Sequence, residues 1–324
     1  MFLGIEIGGT KLQLGLGHGD GTLLALWRGV VDAAAGGEGI RRHITAAIPE
    51  LLATAGVERS RLRGVGVGFG GPTDDATQSV VKSHHIEGWT GFPLAAWLTE
   101  ITGLPTVICN DADVACLAEA TFGAGQGLSP VFYMTVGTGI GGGLVVDGEV
   151  YRGCGRGAME VGHLRPVYPL RPSAGHDEIL EHWSAGWGIG RAGQDLERHG
   201  ADVSGIRRVA GDGPITGKAV ADAAGQGDPV ARRILDDAVQ ALAEGVCSVI
   251  KLLCPRRVII GGGVSLIGED LLFRPLREYV AQRGMAAFAG LTDVVPAALG
   301  EEVVVHGALA LARRKLGSTG KRGT

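Results

Sequence analysis

Apolar positions alternate with small or polar ones from the start of the chain, as in Leu3, Ile5 and Ile7 around Gly4 and Glu6. A period of two marks strands, and it predicts strands over residues 3–7, 11–17 and 23–30, the last two joined by the turn His18-Gly19-Asp20-Gly21. The period then becomes four: Ile40, Ile44, Ile48 and Leu52 predict a helix over about residues 39–55. A strand over 64–69, a polar loop with Trp89, a helix over 94–102 and a short strand over 106–109 follow. The second half restarts in the same way, with strands over 131–136 and 143–146 and a hairpin at Asp147-Gly148. An irregular stretch, 153–177, leads into mainly helical sequence over 179–253, a strand over 258–260, and a final helix over 306–314 whose apolar face needs a partner. The polar tail, 317–324, is expected to fray. Both halves thus open as strand, glycine turn, strand, hairpin, strand, a duplication of structure too faint in identity to be a sequence repeat. The pattern is α/β.

Three of the predicted strands run into glycine turns: Gly8-Gly9-Thr10-Lys11, Gly137-Thr138-Gly139 and Gly261-Gly262-Gly263. Glycine lets the main chain approach a phosphate closely enough for its N–H groups to face it. One such turn has a purely steric explanation; three suggest a large phosphate-rich ligand held between two domains. The 324 residues suffice for two domains. The 57 glycines, about 2.5 times the usual share, are dispersed among apolar segments, which excludes collagen and argues against disorder. A net charge of −4 with scattered basic residues argues against nucleic-acid binding through a basic face. Five cysteines, with no C-x-x-C pair, read as reduced thiols of a cytoplasmic protein. No signal peptide is apparent at the N-terminus, and no apolar run reaches the roughly 20 residues of a membrane helix. A soluble protein with no membrane partner is expected.

Asp111 is the foremost chemical candidate, in Asn110-Asp111-Ala112-Asp113 at a strand-to-helix junction. Its bland alternative is a helix N-cap. Its functional reading is a carboxylate at the rim where α/β sheets bind ligands, able to take a hydroxyl proton as that oxygen attacks a phosphoryl group. Glu6 lies on the face opposite Leu3, Ile5 and Ile7, and either holds a metal through water or is an exposed strand residue. Thr10 and Lys11 either touch phosphate or are solvated. His163, His176, Asp177 and Glu181 are compatible with zinc, but no cysteine cluster accompanies them. His84 and His85 form a loop pair that either reaches a ligand or faces water.

Taken together these motifs resemble the repressor/open-reading-frame/kinase (ROK) family of bacterial sugar kinases and regulators, over roughly residues 2–312. Glu6-x-Gly8-Gly9-Thr10-Lys11 is similar to the family's first phosphate turn, with Glu for the usual Asp. Gly70-Gly71-Pro72 resembles its P-G-P segment, and Asn110-Asp111-Ala112-Asp113 its N-D-A-N signature, whose Asp is the catalytic base. Gly137-Thr138-Gly139 resembles the second phosphate turn, Glu160-Val161-Gly162-His163 the sugar-binding E-x-G-H, and Gly261-Gly262-Gly263 the adenosine-side turn. The family's zinc-binding cysteine module is absent, with Ser173-Ala174-Gly175-His176-Asp177-Glu178 in that region and its terminal glutamate kept as Glu181, so no metal site is carried over from it. His85 replaces the Asn of the family's S-P-N-L-x-G-W segment, and Asp113 the last Asn of N-D-A-N.

The resemblance implies a two-lobed, actin-like ATPase (ribonuclease H-like) fold with a central cleft, the lobes being 1–115 with 305–324, and 116–304. It implies ATP-dependent phosphorylation of a hexose hydroxyl, foremost glucose to glucose 6-phosphate, with Asp111 as general base. Gly71, His85, Asn110, Asp111, Glu160, His163 and Glu181 would bind sugar. Glu6, Gly8, Gly9, Thr10, Lys11, Gly137, Thr138, Gly139, Gly261, Gly262 and Gly263 would bind ATP, with Mg²⁺ bridging its phosphates. A cytoplasmic homodimer is expected. The alternatives are a kinase for fructose, mannose or an N-acetylhexosamine, or a non-catalytic sugar-sensing regulator; the first phosphate turn begins at residue 8, which leaves no room ahead of it for a DNA-binding domain.

Overall fold

The computed structural model describes residues 1–83, 86–166 and 178–317. Its elements follow the order β1 (Phe2–Ile7), β2 (Lys11–Gly17), β3 (Leu23–Val30), α1 (Gly36–Ala55), β4 (Val65–Phe69), β5 (Thr73–Asp74), β6 (Ser79–Val80), α2 (Leu94–Thr102), β7 (Thr106–Asn110) and α3 (Asp111–Phe122). There follow β8 (Val131–Val136), β9 (Ile140–Val146), β10 (Glu149–Val150), α4 (Leu180–Ser184), α5 (Gly186–Arg198), α6 (Ser204–Ala210), α7 (Gly217–Gly225), α8 (Pro229–Leu253), β11 (Arg257–Gly261), α9 (Arg274–Arg283), β12 (Asp293–Pro296) and α10 (Val303–Leu316). The predicted strands and helices are present with ends shifted by a few residues. The two-residue strands β5 and β6, and β12, carry too short a pattern to be predicted.

The duplication hinted at in the sequence is a pair of sheets with one topology. The first is ordered β3-β2-β1-β4-β7 and the second β10-β9-β8-β11-β12. The β1–β2, β2–β3 and β9–β10 pairs are antiparallel, whereas β1–β4, β4–β7, β8–β11 and β11–β12 are parallel. The chain divides into two compact units, residues 1–128, 143–158 and 298–324, and residues 129–142 with 159–297. This differs from the expected boundary after residue 115. Residues 112–119 of α3 are all buried and pack within the first unit, so that helix is not divided.

In the first unit, Leu3, Ile5 and Ile7 of β1 join Leu12, Leu14 and Leu16 of β2 and Val65, Val67 and Phe69 of β4 on one face, covered by Ile40, Ile44 and Ile48 of α1. The other face is not solvated. It lies beneath α10, whose Val305 and Leu309 pack near Gly4. Two glycines make the approach possible: a Cβ at Gly66 would collide with the Ala308 carbonyl, and one at Gly307 with the Val114 carbonyl of α3. This face is the partner that the final helix required. It also removes the exposed alternative for Glu6, which is buried.

The second unit is built around α8, started by Asp228, whose Oδ1 accepts from the Ala231 N–H at 2.8 Å, and by Pro229 in the first turn. Its stripe of Ile234, Leu235, Ala238, Leu242 and Val246 is buried. Among the described residues no helix is long and apolar enough to cross a membrane.

The far end of α3 is fixed by one buried carboxylate. Glu119 Oε1 accepts from the N–H groups of Ala298 and Leu299, both at 2.9 Å, and Oε2 from Ala124 at 2.8 Å. Glu119→Ala strands three backbone donors, and we expect the urea midpoint to report a loss of about 3–5 kcal/mol. A loss below about 1 kcal/mol would contradict this role for the carboxylate.

Candidate active site

The first unit gathers its predicted residues at the junction of β7 and α3. The cap of α3 is Asn110: its Oδ1 accepts from Ala112 N–H at 2.9 Å and Asp113 N–H at 3.3 Å, while Nδ2 donates to the Gly71 carbonyl at 3.1 Å. Capping, the bland role weighed for Asp111, therefore falls to its neighbour. Asp111 occupies the first helical position, partly exposed, with Oδ1 accepting from Ala112 N–H at 2.8 Å. Gly70 donates to the Ile7 carbonyl at 2.8 Å. A Cβ at Gly70 would stand 3.4 Å from Asp111 Oδ2 and 3.5 Å from Gly8 Cα, so the carboxylate and the first glycine turn share one spot. In front of Gly9 lies open space, since a Cβ there meets nothing within 4 Å. Thr10 beside it is exposed.

Lys11 is not simply solvated. Its Nζ lies 3.1 Å from Glu6 Oε1 and donates to the Glu301 carbonyl at 2.9 Å. Burial pushes the Glu6 carboxyl up to about 7; Lys11 opposes that rise, and Asp111 and Glu301 add to it. Among the described residues, Glu6 Oε2 is buried with no hydrogen-bond partner, as is Oε1 of Gln13, its cross-strand neighbour. These two unsatisfied acceptors, one of them a carboxylate oxygen and the other an amide oxygen, suit a hard cation or its coordinated water.

In the second unit, Glu160, His163 and Glu181 gather around the start of β9. Glu181 Oε2 accepts from Ile140 N–H at 2.8 Å. Glu160 and His163 are exposed on either side of a single 3₁₀ turn, Val161–His163, with His163 Nδ1 3.8 Å from Glu160 Oε2. The preceding Met159 holds φ at +64°, an uncommon conformation for a residue with a side chain. It packs where a Cβ on Gly142 would stand 2.5 Å from its carbonyl oxygen.

The two glycine turns of this unit meet in one backbone cradle. A Cβ at Gly137 would lie 3.8 Å from the Gly263 nitrogen, and one at Gly263 would meet nothing within 4 Å. Gly262 adopts φ +84° against the end of β8. Gly261 is paired in register with Thr135, while Thr138 and Gly139 close the β8–β9 turn. Gly186 completes the cradle by donating to the Gly137 carbonyl at 2.8 Å. Its local signal, Ser184-Ala185-Gly186 before α5, lacks the strand that marks the other turns, so sequence reasoning missed it. His84, His85, His176 and Asp177 lie outside the described residues; among the described residues no group of three metal-ligating side chains exists.

The ROK family model matches residues 2–315. The chain is 34% identical to a glucokinase of Thermotoga maritima over 319 residues, which cover 97% of this chain and 98% of that protein. Among solved structures, a ROK family glucokinase from Streptomyces griseus in complex with glucose and AMPPNP superposes with a TM-score of 0.78 at 32% identity, covering 97% of this chain and 99% of that one. A ROK hexokinase from Thermus thermophilus gives 0.74 at 31%, covering 95% and 96%. The fold is therefore the actin-like ATPase fold.

The raised Glu6 value has a consequence for stability. The folded state holds this proton more tightly than an unfolded chain with the ordinary value of 4.5, so its contribution falls as pH rises from 4.5 to about 7. In metal-free buffer, we expect Glu6→Gln to gain on the parent between pH 5 and pH 8, at most by ~1.4 kcal/mol per pH unit across that window. Urea midpoints at both pH values measure this, and a constant difference would contradict it.

Proposed function

The chain belongs to the ROK family and is a sugar kinase, and on that premise we propose that it transfers the γ-phosphoryl group of ATP to the 6-hydroxyl of glucose. The observation that carries this reading is the place of the Asp111 carboxylate, at the first position of a helix capped by Asn110 and beside the Gly8 turn and Gly70. The glucose and AMPPNP held by the Streptomyces griseus glucokinase support the choice of both substrates.

In this reading the Asp111 carboxylate accepts the hydroxyl proton as the oxygen attacks phosphorus. Glu160, His163, Glu181 and the Asn110 amide bind sugar hydroxyls. The N–H groups of Gly9 and Gly263 bind phosphate, Gly8, Gly137 and Gly186 shape the turns by donating to the Lys11, Gly139 and Gly137 carbonyls, and Lys11 adds charge. Mg²⁺, when bound, neutralises phosphate charge, and Glu6 Oε2 is the acceptor that would hold its coordinated water. Departure of the proton to Asp111 keeps the attacking oxygen nucleophilic without prior ionisation.

We expect Asp111→Ala and Asp111→Asn to lower kcat for glucose by roughly 10³-fold, with glucose affinity retained in calorimetry. A near-parental rate in either variant would overturn the general-base role. Across a panel of aldoses, ketoses and amino sugars, ADP release is expected to be fastest with glucose. A faster hexose would replace glucose as substrate.

A further inference from the structure

Two residues beyond Asp111, α3 carries a second acid with a different fate. Asp113 is buried, its side chain 2% exposed, and Arg152 binds its Oδ2 through Nη1. The same guanidinium donates from Nε to Asp75 Oδ1 at 3.0 Å and Oδ2 at 3.3 Å. Its Nη2 donates to the Thr73 carbonyl at 2.9 Å and to the Thr73 hydroxyl at 3.0 Å. Arg152, itself only 12% exposed, thus fastens three segments of the first unit with one planar fork.

Each segment bears on Asp111. Asp113 belongs to the first turn of the helix that Asp111 begins. Thr73 and Asp75 follow Gly70 and Gly71, the stretch that lies against the Asp111 carboxylate and accepts from the Asn110 amide. The arm from 73 to 80 is tied to the β7 edge as well, since Gln78 Oε1 accepts from Ile108 N–H at 2.9 Å. The third segment is the loop of Arg152 itself, joined to the arm by the Asp75 N–H donating to the Gly155 carbonyl at 2.8 Å.

From this geometry we infer that Arg152 and Asp113 form a positioning pair that holds the first turn of α3, and with it the Asp111 carboxylate, in register with Gly70 and Gly71. Neither side chain needs to touch substrate for this. The inference rests on Asp111 acting as the base. The surroundings agree with a pair rather than two independent charges. Burial pushes the Asp113 carboxyl up to about 7, Arg152 pulls against that, and Asp111 and Asp75 add to it. The thiol of Cys109, 3.9 Å from Asp113 Oδ2, is pushed up to about 12 by burial and is no competing nucleophile. A buried carboxyl with one guanidinium partner is costly to leave alone, which ties the helix to Arg152.

The test compares Asp113→Ala, Asp113→Asn and Arg152→Lys, with Asp111→Ala as a control on the base itself. Asparagine keeps an oxygen for the Arg152 Nη1, alanine does not, and lysine cannot supply the fork. We expect Asp113→Ala and Arg152→Lys to lower kcat by about 10²-fold, the scale of a misplacement near 1 Å, while KM for glucose and ATP stays within about threefold. Asp113→Asn is expected within about threefold of the parent kcat. Amide exchange over residues 111–116 should rise in the two damaged variants and not in Asp113→Asn, a readout that needs no turnover. Unchanged kcat and exchange in Arg152→Lys, equal damage from Asp113→Asn and Asp113→Ala, or a loss confined to KM would each overturn the inference. Should Asp113→Ala fail to fold, Arg152→Lys against Asp113→Asn decides the matter. A fully active Asp111→Ala would instead strike at the base assignment.

Discussion

The proposed reaction depends on where the first turn of α3 is held. A carboxylate at a helix start is a common thing, and most such groups cap the helix they begin. Here Asn110 takes the cap and also reaches the Gly71 carbonyl, so a single amide both ends β7 and fixes the loop opposite. Asp111 is left at the first helical position with Gly70 and Gly8 alongside. At the other end of the helix Glu119 takes three backbone donors, two of them from residues almost 180 positions later. The helix is clamped at both ends by groups that water would otherwise solvate. Its apolar middle only has to fill the space between α10 and the sheet.

Both units build their glycine turns by the same device, a parallel strand pair whose ends turn on glycine. In the first, β1 and β4 end at Ile7 and Phe69 in register, and Gly8 and Gly70 follow. In the second, β8 and β11 end side by side, and Gly137 and Gly262 follow. Ligands of open α/β sheets lie beyond the carboxyl ends of the strands, and these four glycines are the residues found there.

Much of this was legible in the sequence because it is local. Alternation in 3–7 and four-residue spacing in 40–52 report strand and helix directly, and the glycine turns stand immediately after strands. What was not legible depends on distant residues. The burial of Glu6 follows from α10, some 300 residues away, covering the face that alternation alone assigns to water. The choice of Asn110 over Asp111 as cap is invisible to propensity, since both residues cap well. Arg152 sits in an irregular glycine-rich loop with no motif, and only the folded chain brings it to Asp113 and Asp75. Gly186 lacks the preceding strand that marks the other glycine turns. The extent of the first compact unit was not legible for the same reason, because α3 packs with a helix at the opposite end of the sequence.

The account turns on one proton acceptor meeting one hydroxyl. A crystal structure of this chain with glucose and a non-hydrolysable ATP analogue measures that directly. The account predicts the glucose O6 within about 3 Å of an Asp111 carboxylate oxygen, with the Asn110 cap intact. A sugar bound with every hydroxyl out of reach of Asp111, or a carboxylate turned away to serve the helix backbone alone, would contradict it.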